Sequence, residues 1–180
     1  MTMRQLLEQY DKPGPRYTSY PTAVQFNEAF QAQDYLQHLH YAASIPEAPL
    51  SLYVHLPFCE ERCGFCACHV IATKQKSVTE PYLDHLLQEI TMVRSHLGNR
   101  RQVAQLHLGG GTPTYLTPAQ MRTLLTALQQ QFEWLPHAEL AIEVDPRVTT
   151  LPHLDVLAEF GFNRISVGVQ DFASDVQKAI

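Results

Sequence analysis

The rhythm of apolar and polar positions changes near residue 50. Ahead of that point lie a short helical stretch, a Pro/Gly/Tyr-rich loop, "KPGPRYTSYPTAVQF", and a helical pattern over residues 27–43. "IPEAPL" then reads as a linker, because proline breaks a helix and donates nothing to a ladder. Residues 1–50 are therefore expected to form a leader. From Ser51 onward, short apolar runs alternate with longer segments of helical period. "SLYVHL", "VAQLHL", "AELAIEV" and "NRISVGV" read as strands, with helices predicted over 79–97, 118–132 and 151–160. Gly98 and Gly161 mark helix ends, and Thr117 with Gln120 forms a capping box that leaves Pro118 at the first helical position.

Strands alternating with helices of this length form βα units around a parallel sheet, so the fold class is α/β. An open doubly wound sheet and a barrel both satisfy the pattern, and both place chemistry at the C-terminal ends of the strands. Four segments occupy those ends: "PFCEERCGFCAC", "GGGTPT", "EVDPR" and "GVQDF". The unusual residues of the chain are thus expected to converge on one rim.

Composition narrows the setting. The 180 residues are 45% hydrophobic and 17% charged, enough for an ordinary core, and the net charge of -5 argues against a general nucleic-acid surface. No apolar run approaches the roughly 20 residues of a membrane helix. The first residues also lack the apolar region of a signal peptide. A cytoplasmic protein is the expectation, and in a reducing compartment clustered cysteines bind metal or do redox chemistry rather than form structural disulfides.

All four cysteines, Cys59, Cys63, Cys66 and Cys68, fall within "HLPFCEERCGFCACH". Structural zinc sites usually join two separated ligand pairs, and no second pair exists here. Disulfides between such near neighbours would be strained. A compact loop with this spacing suits an iron–sulfur cluster, and three cysteine ligands leave one iron open to a substrate or cofactor. A small zinc-binding module using all four thiols remains the alternative.

C-x-x-x-C-x-x-C after the first strand, with Phe65 just before the third cysteine, resembles the radical S-adenosylmethionine enzymes. Within them, "GPRYTSYPT", "LSLYVHLPFCEERCGFCAC", "LHLGGGTPTYL", "IEVDPR" and "GFNRISVGVQDF" resemble the family of oxygen-independent coproporphyrinogen III oxidases. A haem-chaperone-like set on the same scaffold is the rival; its members typically lack the "GPRYTSYPT" leader and carry an aromatic where Cys68 stands. The resemblance implies a partial (βα)6 barrel, with 51–180 as its N-terminal part. Only four strands can be read, so the chain is expected to be a fragment that is inactive alone.

The resemblance also implies roles. Cys59, Cys63 and Cys66 would hold a 4Fe-4S cluster whose fourth iron S-adenosylmethionine chelates. Tyr53 (taken as the end of its strand), Phe65, Gly110, Gly111, Thr112, Glu143 and Gln170 would contact that cofactor, divided between two molecules of it. Cys68 would act in the reaction without being a cluster ligand, and Arg16 is a candidate for the substrate's carboxylates. His55 and His107 are expected to be hydrogen-bonded core histidines. The implied chemistry is radical abstraction of hydrogen from two propionates of coproporphyrinogen III, giving the vinyl groups of protoporphyrinogen IX in haem biosynthesis. An electron donor of flavodoxin type would feed the cluster, and the protein would act as a monomer without nucleic acid or membrane.

Overall fold

The computed structural model of the protein describes residues 2–11 and 22–178, and the chain divides into two units, Met1–Tyr35 and Leu36–Ile180. In the first unit, helix α1 (Met3–Tyr10) starts from a capping box in which Thr2 and Gln5 satisfy each other's backbone N–H. Arg16 and "GPRYTSYPT" extend over residues outside the described ones, except for Thr22. Helix α2 (Ala32–Ala43) begins later than the helical pattern suggests. The Asn27 side chain accepts the Ala29 N–H at 2.9 Å in an Asx turn, and the Asp34 carboxylate accepts the Gln31 N–H at 2.8 Å just ahead of the helix. Local side-chain bonds of this kind favour a turn over another helical turn.

The second unit is built on four parallel strands in the order β1 (Leu50–Leu56), β4 (Gln102–Gly110), β5 (Glu133–Val144) and β6 (Arg164–Val167). The crossover helices are α3 (Thr79–Ser95), α4 (Pro118–Gln131) and α5 (Leu151–Glu159). Leu86 and Ile90 of α3, Leu124 and Leu128 of α4 and Val156 of α5 join Val54, Leu56, Leu106, Leu108, Leu140 and Ile142 in one buried cluster. All three helices therefore cover the same face. Strands that add in chain order, with no reversal and one helical layer, are the pattern of a barrel wall rather than a doubly wound sheet. A short helix α6 (Ser174–Gln177) follows β6.

The predicted elements recur with shifted ends. α4 has the expected capping box, and Gly98 and Gly161 follow their helices with φ of 53° and 79°. β5 starts five residues early: Glu133 and Trp134 pair with Gln102 and Val103, and the register then shifts before Gln105 meets Glu139. β6 is shorter than "NRISVGV".

A second, two-stranded sheet pairs β2 (Phe58–Cys59) with β3 (Ile71–Ala72). It staples the base of the cysteine loop, with Ile71 N–H donating to Pro57 O at 2.7 Å and Thr73 N–H to Cys59 O at 2.9 Å. Phe58 is buried between Tyr82 and Tyr115, at ring separations of 5.2 and 5.6 Å. Burying that ring contributes about 1.5–3 kcal/mol and anchors the start of the loop.

Candidate active site

Alternation along the strands leaves the sheet face opposite the helices polar. Ser51, Tyr53 and His55 on β1, Gln105 and His107 on β4, and Glu139 and Glu143 on β5 share it. Tyr53 pairs in register with His107 and the two rings stack, 5.9 Å apart and 14° from parallel. The Tyr53 hydroxyl lies 3.0 Å from His55 Nδ1, and His55 Nε2 lies 3.0 Å from the His69 carbonyl oxygen. Two expectations need correction. Tyr53 is mid-strand rather than at its end, and His55 and His107 are hydrogen-bonded but half-buried on the open face rather than in the core. Leu52, Val54 and Leu56 take the helix-covered side, so the intervening residues cannot.

Glu143 forms the hub of this face. Its Oε1 lies 3.3 Å from His107 Nε2, and its Oε2 accepts the Gly110 N–H at 3.2 Å. Burial first, then the Glu143 carboxylate and Cys68, push the Tyr53 phenol above its ordinary value, so it stays a hydrogen-bond donor at neutral pH.

The glycine segment brings backbone close to the cysteine loop. Gly110 has φ of 118°, and a Cβ there would stand 2.8 Å from the His55 ring. At Gly111 a Cβ would stand 2.7 Å from Phe58 O. Gly111 N–H donates to Leu56 O at 2.9 Å and Thr112 N–H to Phe58 O at 2.8 Å, which sets the segment beside β2. Thr112 is buried, and its hydroxyl lies 3.5 Å from Cys59 Sγ.

Cys59, Cys63 and Cys66 are half-buried, and Cys68 is exposed. Burial, then the neighbouring Cys66, Cys63 and Asp145, raise the Cys59 thiol, against a lowering hydrogen bond from Thr112. Burial and then Cys66 raise the Cys68 thiol. Ionising these thiols together would set like charges side by side in a partly buried loop, a cost that a cationic centre would relieve. Among the described residues no three His, Cys, Asp or Glu side chains gather around a single metal ion. An iron–sulfur cluster places a different demand, one thiolate per iron, and three thiols on one stapled arch fit it.

Phe65 is half-exposed near the loop's crown. Gln170 follows β6 in the exposed loop and has φ of 67°, the one positive value at a non-glycine among the described residues. The structure thus groups Tyr53, Gly110, Gly111, Thr112 and Glu143 with the cysteine arch, while Gln170 is on the loop after the edge strand. Arg147 escaped the sequence reading: it contacts Cys63 Sγ at 3.8 Å, and its only signal was its place in "EVDPR".

The profile of the radical SAM superfamily matches residues 53–180, from the stacked tyrosine onward. The chain belongs to the radical SAM superfamily. Membership implies a 4Fe-4S cluster, as the cysteine spacing suggested, and S-adenosylmethionine, as the resemblance implied. Oxygen-independent coproporphyrinogen III oxidase from Escherichia coli K12 is 51% identical over 175 residues, which are 97% of this chain and 37% of that protein. The Pseudomonas aeruginosa protein of the same name is 47% identical over 97% of this chain and 38% of its own length. Anaerobic coproporphyrinogen III oxidase 1 of Cereibacter sphaeroides is 40% identical over 100% of this chain and 39% of its own. A solved structure of Escherichia coli coproporphyrinogen III oxidase, described as a radical SAM enzyme, superposes with a TM-score of 0.82. It is 48% identical and covers 97% of this chain and 38% of that one. The chain thus spans well under half the length of these relatives. The parallel α/β architecture agrees with that solved structure, and no helix among the described residues is long and apolar enough to cross a membrane.

Proposed function

We propose that residues 51–180 are the N-terminal part of a radical SAM core, behind a leader over 1–50. The whole protein would convert two propionates of coproporphyrinogen III to vinyl groups without oxygen, giving protoporphyrinogen IX. The arch of three thiols stapled beside Gly110–Thr112 and Glu143 carries this reading. The names of the relatives supply the substrate.

Each propionate would give up a hydrogen atom, carbon dioxide and one electron, the electron passing to an external one-electron acceptor, to leave a vinyl group. The cluster and S-adenosylmethionine supply the one-electron chemistry that removes the hydrogen atom. Cys59, Cys63 and Cys66 would hold the cluster. Gly110 and Gly111, held against the His55 ring and the Pro57–Phe58 backbone where a Cβ has no room, would offer bare backbone to the cofactor. Glu143 would accept hydrogen bonds from its ammonium or ribose, and Tyr53 would donate one. Thr112, Phe65 and Gln170 would complete contacts shared between two cofactor molecules. Cys68, exposed beside the arch, would serve the reaction rather than the cluster. A flavodoxin-type donor, a cytoplasmic setting and a monomeric state belong to the same proposal.

The test joins residues 1–180 to the remaining length of the Escherichia coli relative. The product is supplied anaerobically with coproporphyrinogen III, S-adenosylmethionine and a low-potential reductant. Porphyrins that have lost two carboxyl groups are expected on chromatography. Unaltered substrate, with the cluster intact, would remove the oxidase reading and leave the haem-transfer one.

A further inference from the structure

The turn after β5 holds a charged group against one of the thiols. Asp145 organises that turn: its side-chain Oδ1 accepts the Arg147 N–H at 2.9 Å, and its carbonyl accepts the Thr149 N–H at 3.0 Å and the Thr149 hydroxyl at 2.7 Å. The Thr149 hydroxyl meets the Thr114 hydroxyl at 2.8 Å, tying the turn to the glycine segment. The same Asp145 carboxylate grips the Arg147 side chain, with Nε at 3.0 and 3.1 Å from its two oxygens and one terminal nitrogen at 2.8 Å. That terminal nitrogen also reaches Cys63 Sγ at 3.8 Å, across 84 positions of sequence.

A plain surface pair of Arg and Asp would leave the free edge of the guanidinium in water. Here that edge points at a thiol. Two cysteines of the arch have partners from other elements, Thr112 for Cys59 and Arg147 for Cys63, and of these partners only Arg147 carries charge. Hydrogen bonds and charges at ligand sulfurs set how readily an iron–sulfur centre takes an electron. A positive group beside a thiolate favours the more negative, electron-loaded state.

We infer that Arg147, braced by Asp145, is a positioning residue for the Cys63 thiolate whose charge makes the bound cluster easier to reduce. The inference rests on the ligand set proposed above. Asp145 opposes the guanidinium with its own charge, and water reaches the Arg147 side chain, which is 67% exposed. The net influence is therefore that of a screened dipole. About a tenfold change in the one-electron reduction equilibrium is expected, about 59 mV.

The test uses the whole protein, loaded with iron and sulfide under nitrogen and titrated with dithionite as the one-electron source. R147Q should keep the parent's iron and sulfide content while its cluster becomes about tenfold harder to reduce. R147K retains the charge and should lie nearer the parent than R147Q. Added salt should shrink the gap between parent and R147Q, which a purely structural role would not do. An R147Q protein with matched iron and an unchanged potential, or one easier to reduce, overturns the inference alone. A parent that assembles no cluster on Cys59, Cys63 and Cys66 overturns the ligand set and the inference with it.

Discussion

Replacing Glu143 with glutamine removes one charge and one acceptor from the hub of the polar face. The carboxylate uses both oxygens, one toward His107 Nε2 at 3.3 Å and one for the Gly110 N–H at 3.2 Å. A carboxamide has a single oxygen, so it keeps one of these partners and turns an NH2 toward the other. The side chain is 45% exposed, and water can take over the lost bond, so the fold should lose no more than about 1 kcal/mol. That corresponds to a Tm within about 4 °C of the parent. Cofactor binding is a different matter. A charge-assisted hydrogen bond to the ammonium or ribose of S-adenosylmethionine contributes roughly 1.5–3 kcal/mol, so affinity should fall about ten- to hundred-fold. Anaerobic calorimetric titration at matched iron content measures this directly. Unchanged affinity, or a variant that loses its folded state together with its cluster, would refute the cofactor contact and leave Glu143 a structural tie between β4 and β5.

Other outcomes follow from the same geometry. Gly110→Ala should cost about 1–3 kcal/mol in urea unfolding, from its φ of 118° and the His55 ring 2.8 Å from the added Cβ, whereas Gly64→Ala, with open space around it, should be nearly silent. Asp145 gives an acid-limb prediction. The hydrogen bond from Arg147 holds its carboxyl below the ordinary 3.8, so the unfolded chain binds that proton more readily. The stabilisation is thus present above that value and lost as pH falls through the lower folded one. Asp145→Asn should flatten the stability profile on the acid side of 3.8, and an unchanged slope there would contradict the pairing.

Much of the barrel wall was legible because its strands alternate. Leu52, Val54 and Leu56 mark one face, and the same parity puts Ser51, Tyr53 and His55 on the other. Without that parity, His55 and His107, each flanked by buried strand residues, are sent to the core. The pair β2–β3 was invisible for another reason: two-residue strands carry no period, and their pairing depends on a loop closing between Cys59 and Ile71. The early start of β5 was masked by Pro136, which reads as a breaker but falls where the register shifts. Glu143 was reached through the family resemblance, since a strand-end carboxylate alone reads as a cap or a solvated group; its partners His107 and Gly110 come from the neighbouring strand. The contact of Arg147 with Cys63 joins two loops that only the folded sheet brings together, so no local pattern announces it.

Iron and acid-labile sulfide in single cysteine variants test the three-thiol ligand set most directly. Cys59→Ser, Cys63→Ser and Cys66→Ser should each abolish a brown, oxygen-labile cluster, while Cys68→Ser should retain the parent's iron and sulfide even where activity falls. Loss of iron in Cys68→Ser as complete as in Cys63→Ser would contradict the assignment.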